Sequence, residues 1–301
     1  MNAAIVPIVP AIDLKRIMYA TDFSDASRAA LPLVAALARH YCSRIYATHV
    51  FSPGTYAMVA SEVASGLDRR HERGASEELE KLLREPLLAG VTAETMVLRG
   101  TPAKQLQRAV KEHNVSLVVA GTHGATGFKH RVLGSVTEEL VRSLSCPVLT
   151  VGPRLAKRFE EIKKIENILF PTDFSEESLA VFPYLASLGN EYASRLTVLH
   201  VLPLETAGNP DAKALAEPLR KQMEKALGGQ MGAKCHADFV IDSGDAAETI
   251  LFQARRSNAD VIGLGVRCAT DIAQHFRQTI AYQVLAEAEC PVLTFHAVHK
   301  W

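Results

Sequence analysis

A chain of 301 residues, at roughly 100–200 residues per domain, predicts two domains. Its composition, 48% hydrophobic and 22% charged, is globular and excludes a disordered chain. Lys+Arg and Asp+Glu both number 33, which excludes a broad polybasic face, so neither nucleic acid nor a membrane surface is an expected partner. No run approaches the ~18 uninterrupted apolar residues of a membrane helix. The start, Met1 to Pro10, is apolar but short, holds Pro7 and Pro10, and lacks the basic flank of a signal peptide. The 5 cysteines (Cys42, Cys146, Cys235, Cys268, Cys290) are odd in number and scattered, which suggests neither a disulfide framework nor a CxxC knuckle. A reducing, cytoplasmic setting is the expectation.

In chain order, residues 16–20, 44–51, 93–98, 116–120 and 147–151 read as short strands rich in Val, Ile and Leu. Such runs suit strands buried on both faces of a parallel sheet. Between them, residues 24–40, 61–88, 102–113 and 135–144 read as helices. Ser24 suits an N-cap and Pro102 a first-turn position, while Pro32 should kink or break the first helix. Alternating strands and helices imply right-handed crossovers and a doubly wound sheet, with ligands beyond the carboxyl ends of its strands.

The pattern then repeats. Ile17-Met-Tyr-Ala-Thr-Asp-Phe-Ser24 is echoed by Ile168-Leu-Phe-Pro-Thr-Asp-Phe-Ser175. At the same spacing Pro32 meets Pro183, Tyr41 meets Tyr192, and His49-Val50 meets His200-Val201. At a slightly shorter spacing Gly100 meets Gly244, Gly121 meets Gly265, and Cys146-Pro-Val-Leu-Thr150 meets Cys290-Pro-Val-Leu-Thr294. The chain reads as a tandem duplication. Residues 1–152 form one domain, 153–164 a charged linker and 165–301 the second domain.

The richest stretch lies in the first copy: Gly121-Thr-His-Gly124-Ala-Thr-Gly-Phe-Lys-His-Arg131-Val-Leu-Gly134-Ser135-Val136, or Gly-x2-Gly-x9-Gly-Ser. Gly121 ends a strand where a side chain would block a ligand, and Gly124 can turn backbone amides toward an anion. Gly134-Ser135 opens a helix, whose free amides and positive dipole end face the loop mouth. Lys129, His130 and Arg131 can meet phosphate charge.

With the Thr-Asp-Phe-Ser and His-Val strand ends and the Cys-Pro-Val-Leu last strand, this loop resembles the universal stress proteins over nearly the whole chain, twice. The resemblance implies two tandem α/β, Rossmann-like domains, of the adenine nucleotide alpha hydrolase-like type. Each is a five-stranded parallel sheet flanked by helices, in the order 3-2-1-4-5. It also implies ATP, with or without Mg, as the ligand of the subgroup that carries the glycine motif. Asp22 and Val50 would flank the adenosine, Ala120 and Gly121 would line the floor, and His123, Gly124, Gly134, Ser135 and Val136 would surround the ribose and phosphates, with Arg131 near their charge. Ala20 departs from the proline often found there, which the second copy has as Pro171. Stress response regulated by bound ATP is the leading reading. Slow ATP hydrolysis, known for some relatives, and a nucleotide-free adaptor stay open beside it. No residue is assigned a catalytic role and none a metal.

Asp22 could instead cap the local turn, and Asp173 in the second copy favours that for both. In that copy Cys268 stands for Gly124, Gln278 for Gly134 and Thr279 for Ser135. The Gln278 side chain should fill the phosphate space, leaving one nucleotide per chain. His275 and Arg277 keep room for a different small anion. Residues 52–58 could form a flap over the site. In the resembled family the last strand is an edge that pairs with its counterpart. Residues 147–150 and 291–294 should therefore pair within the chain as a pseudo-dimer, or join two chains.

Overall fold

The computed structural model describes residues 13–52, 61–122, 132–152, 164–203, 210–267 and 276–296; at 61–65 and 210–214 it describes the backbone alone. The chain divides into two compact units, Asp13–Ile162 and Lys163–Trp301.

The first unit carries β1 (Arg16–Ala20), α1 (Asp25–Arg28), α2 (Leu31–Tyr41), β2 (Arg44–Phe51), α3 (Ser61–Leu83), β3 (Thr92–Arg99), α4 (Pro102–Glu112), β4 (Leu117–Gly121), α5 (Ser135–Ser143) and β5 (Val148–Val151). Its strands are parallel and run in the order β3-β2-β1-β4-β5. The register sets Arg16 beside Arg44 and Ile17 beside Leu117. The order reverses between β1 and β4, so the crevice at their carboxyl ends is the natural ligand position.

Pro32 does break the first helical stretch: α1 stops, and Pro32 reappears in the first turn of α2, where its missing N–H costs nothing. Likewise Pro86 follows α3 and opens a separate 3-10 turn, Pro86–Leu88, so the helix expected over 61–88 ends earlier. Ile17, Met18, Tyr19, Val118 and Val119 are wholly buried. Burying each of the Ile, Met and Val side chains among them contributes ~1.5–3 kcal/mol. β3 departs from the buried-strand expectation, since an edge strand is covered less completely and its residues are half-buried or exposed.

The second unit repeats the plan with β6 (Asn167–Pro171), α6 (Glu176–Leu179), α7 (Phe182–Tyr192), β7 (Arg195–Leu202), α8 (Pro210–Leu227), β8 (His236–Ser243), α9 (Ala246–Arg256), β9 (Val261–Gly265), α10 (Ile280–Glu287) and β10 (Val292–Phe295). Its parallel sheet runs β8-β7-β6-β9-β10, the same order as the first. Leu169, Phe170, Val198, Ile262 and Val292 fill its centre. Among the described residues no helix is long and apolar enough to cross a membrane.

Candidate functional site

Each unit turns out of its first strand in the same way. Thr21 accepts from the Phe23 amide at 3.0 Å and shares a 3.0 Å hydrogen bond with Ser27. Asp22 Oδ1 accepts from the Ser24 amide at 3.1 Å and from the Ser24 hydroxyl at 2.5 Å. Ser24 in turn caps α1 by accepting from the Ser27 amide. In the second unit Thr172, Asp173, Phe174, Ser175 and Ser178 make the same bonds. Burial raises the Asp173 carboxyl, but its hydrogen bonds, led by the Ser175 hydroxyl and amide and joined by Ser178, outweigh it and hold the group below its ordinary value. The local-turn role of Asp22 is thus met within the protein.

Sequence reasoning missed the backbone of these turns. Phe23 and Phe174 both sit at φ 63, a left-handed conformation unusual for a bulky side chain. Phe23 stacks on His49 with ring centroids 4.6 Å apart, and Phe174 leans on His200 at 5.6 Å. His49 Nδ1 lies 2.8 Å from Thr21 O, and His200 Nδ1 lies 2.8 Å from Thr172 O. A carbonyl only accepts, so each Nδ1 donates and a neutral ring leaves Nε2 as an acceptor. The signal was the doubled Thr-Asp-Phe-Ser and His-Val sequence itself.

The sheet order brings the expected residues to one end. Val50 is the penultimate residue of β2, Ala120 and Gly121 close β4, Asp22 follows β1, and Gly134, Ser135 and Val136 open α5. His123, Gly124 and Arg131 lie outside the described residues, as do Lys129, His130, Cys268 and residues 53–58.

Gly121 also packs against α1: a Cβ there would stand 3.0 Å from Ala26 O and 3.0 Å from the Ser27 amide, a tight contact that α1 would have to yield slightly to admit. Gly265 is tighter: its Cβ would lie 2.5 Å from the Glu177 carbonyl carbon and closer still to its oxygen. These glycines let a helix turn press on a strand end, with or without a ligand.

The two final helices start differently. α5 begins after Gly134, whose φ −62 is open to any residue and whose N-cap position supplies no side-chain hydrogen bond. Thr137 Oγ1 donates 2.7 Å to Gly121 O and ties the first turn of α5 to β4. In α10 the N-cap is Thr279, which accepts from the Tyr282 amide at 3.2 Å and donates to Phe276 O at 2.7 Å. The N-cap residue of α5 gives its first turn no side-chain hydrogen bond, whereas Thr279 gives one to α10.

Gln278 is exposed and is one of the residues lining a cavity of about 600 Å3 at the carboxyl ends of β6, β7 and β9. Leu199, Val201, Ile250, Leu264, Phe276 and Ile280 form its apolar walls, and Asp173, Glu177, Arg267, Gln278 and Thr279 supply polar groups. In the repeat alignment the helix starts one residue later than α5, so Gln278 precedes the cap residue.

The Universal stress protein family pattern matches residues 13–152 and 164–296. Universal stress protein MJ0531 of Methanocaldococcus jannaschii is 33% identical over 46% of this chain and 81% of its own length. Universal stress protein YxiE of Bacillus subtilis is 31% identical over 45% of this chain and 97% of its own. Among solved structures, a universal stress protein from Archaeoglobus fulgidus superposes with a TM-score of 0.74 at 22% identity, covering 94% of this chain and 98% of that one. Two successive matches, one on each repeated sheet, make this chain a member of the universal stress protein family with two family domains.

Proposed function

We propose that the first unit binds ATP, with or without Mg, and that the bound nucleotide regulates the protein's part in a stress response. One observation carries the reading: α5 opens on Gly134-Ser135 with no side-chain cap, at the carboxyl end of β4, whereas Thr279 caps its counterpart. Uncapped amides and the positive helix end favour an anion there. Asp22, Val50, Ala120 and Gly121 stand at the same end of the sheet as the wall for the adenosine, with Val136 beside the phosphates. His123, Gly124 and Arg131 complete the motif in sequence. The family resemblance supplies the identity of the nucleotide.

The test is calorimetry of the full chain with ATP, with and without Mg. One equivalent is expected, weakened at least tenfold by Gly134→Gln, the residue of the second unit. Two equivalent ATP sites, or none, would overturn the proposal; none would favour the nucleotide-free adaptor.

A further inference from the structure

The second unit holds another cavity, of about 800 Å3, at the opposite end of its strands from the strand-order crevice. It lies where β6, β7 and β8 begin, between α8 and the end of α9. Its volume falls within the ~300–1,000 Å3 range of small-molecule sites.

The repeat shows how this space arose. In the first unit the rings of Tyr46 and His113 meet here with centroids 4.9 Å apart, and Arg16 donates from Nε to Asn114 O at 2.9 Å. At the matching positions the second unit has Thr197, Ser257 and Asn167, and all three line the cavity. Three large side chains have become small polar ones around a single point. A gap lined by amides and hydroxyls admits water and polar ligands, whereas an apolar gap would stay dry.

The charge at this point has changed as well. The lining carries three arginines and two carboxylates. Asp238 Oδ2 holds Arg195 Nε at 3.4 Å, and Arg220 is held by Glu217 at 2.7 Å and by Glu224. Those charges are matched within the protein. Arg256 forms no ion pair among the described residues. It replaces Glu112, which in the first unit pairs with Arg108 at 2.6 Å. A matched acid has thus given way to an unmatched cation beside the opened space.

Neutral polar groups surround that cation. Gln253, only 7% exposed, donates from Nε2 to Asp242 Oδ2 at 2.6 Å, which leaves its side-chain carbonyl as an acceptor. The side chains of Asn167 and Thr197 make no hydrogen bond among the described residues, so their donors and acceptors remain for a ligand. Half-buried Phe239 supplies an apolar surface for a carbon frame.

We infer that this cavity binds a small hydroxylated organic anion, a carboxylate or phosphate carried on a hydroxyl-bearing frame. Arg256 receives the charge, and the amides and hydroxyls of Gln253, Asn167 and Thr197 read the hydroxyl groups. The site uses no residue of the first unit and stands whatever that unit binds.

Gluconate and glucose-6-phosphate are the probes, titrated by calorimetry into the full chain at low salt, where an exposed charge is least screened. Glucose and inorganic phosphate are the controls, the neutral frame and the bare anion. One equivalent of gluconate, of glucose-6-phosphate or of both is expected, and which of them binds tells a carboxylate from a phosphate. Each control should bind at least tenfold more weakly. Thr197→Tyr combined with Ser257→His, which restores the rings of the first unit, should weaken binding at least tenfold. Arg256→Glu, at an exposed position, should weaken it several-fold and serves if the double variant misfolds. Failure of both probes to bind, a control that binds as tightly, or binding indifferent to both variants would overturn the inference.

Discussion

Replacing Gly265 by Ala separates two explanations for a glycine at the end of the fourth strand of each unit. The added Cβ would meet the Glu177 carbonyl group well inside contact distance, and both partners are backbone, so α6 must move off β9. Overpacking of this kind costs ~1–3 kcal/mol, and the closeness places Gly265→Ala near ~2–3 kcal/mol. At Gly121 the nearest backbone atoms stand at 3.0 Å, a conflict of tenths of an ångström, partly offset by the ~0.4–1 kcal/mol that alanine gains through the unfolded chain. Gly121→Ala should therefore cost ~1 kcal/mol or less. At roughly 4 °C per kcal/mol, thermal melts without nucleotide should fall by roughly 8–12 °C for Gly265→Ala and at most about 4 °C for Gly121→Ala. A Gly265→Ala protein that melts like the parent would refute the helix-contact explanation. So would a Gly121→Ala protein that is unchanged without ATP yet fails to bind it.

Ser24→Ala and Ser175→Ala each remove an N-cap and a hydroxyl donor to the preceding aspartate, and each should cost about 1–2 kcal/mol in urea unfolding, with threonine restoring most of it. The Asp173 carboxyl is held low in the folded protein, so its contribution is present above its unfolded value of roughly 3.9 and is lost as pH falls through the lower folded value. The stability advantage of the parent over Asp173→Asn should thus shrink below about pH 4 in parallel acid titrations followed by circular dichroism. Burial pushes the Cys146 thiol up to about 12, and Cys290 is 5% exposed, whereas Cys42 lies open at the end of α2. Iodoacetamide at about pH 8 should therefore label Cys42 well before either, as read by peptide mass spectrometry.

The sheet was legible because its strands are short aliphatic runs separated by helices with clear ends at Ser24, Pro32 and Pro102. The half-buried edge strand β3 was less so, since hydrophobic content does not say how much cover a strand receives. Gly121 was placed at the end of β4, but its contact with α1 was not legible: composition shows that a side chain is absent, not which atoms crowd the gap. That Gln278 precedes the cap of α10, while Gly134 is itself the cap of α5, was not legible from the repeat alignment. The doubled Thr-Asp-Phe-Ser marked these turns, but the left-handed conformation of Phe23 and Phe174 had no signature in residue type, since glycine and asparagine, not phenylalanine, normally mark that region. The Glu177–Arg267 pair had no signal in the sequence, because the two residues are far apart in the chain and meet at 3.3 Å only in the fold.

The close seat of α1 on β4, repeated by α6 on β9, changes how kindred sequences should be sorted. A glycine at that spot is a mortise for the neighbouring helix, so its presence is a poor guide to which kin carry nucleotide. Diagnostic weight shifts to whatever residue opens the terminal helix, where duplication let one half drift while the joint beneath it stayed fixed.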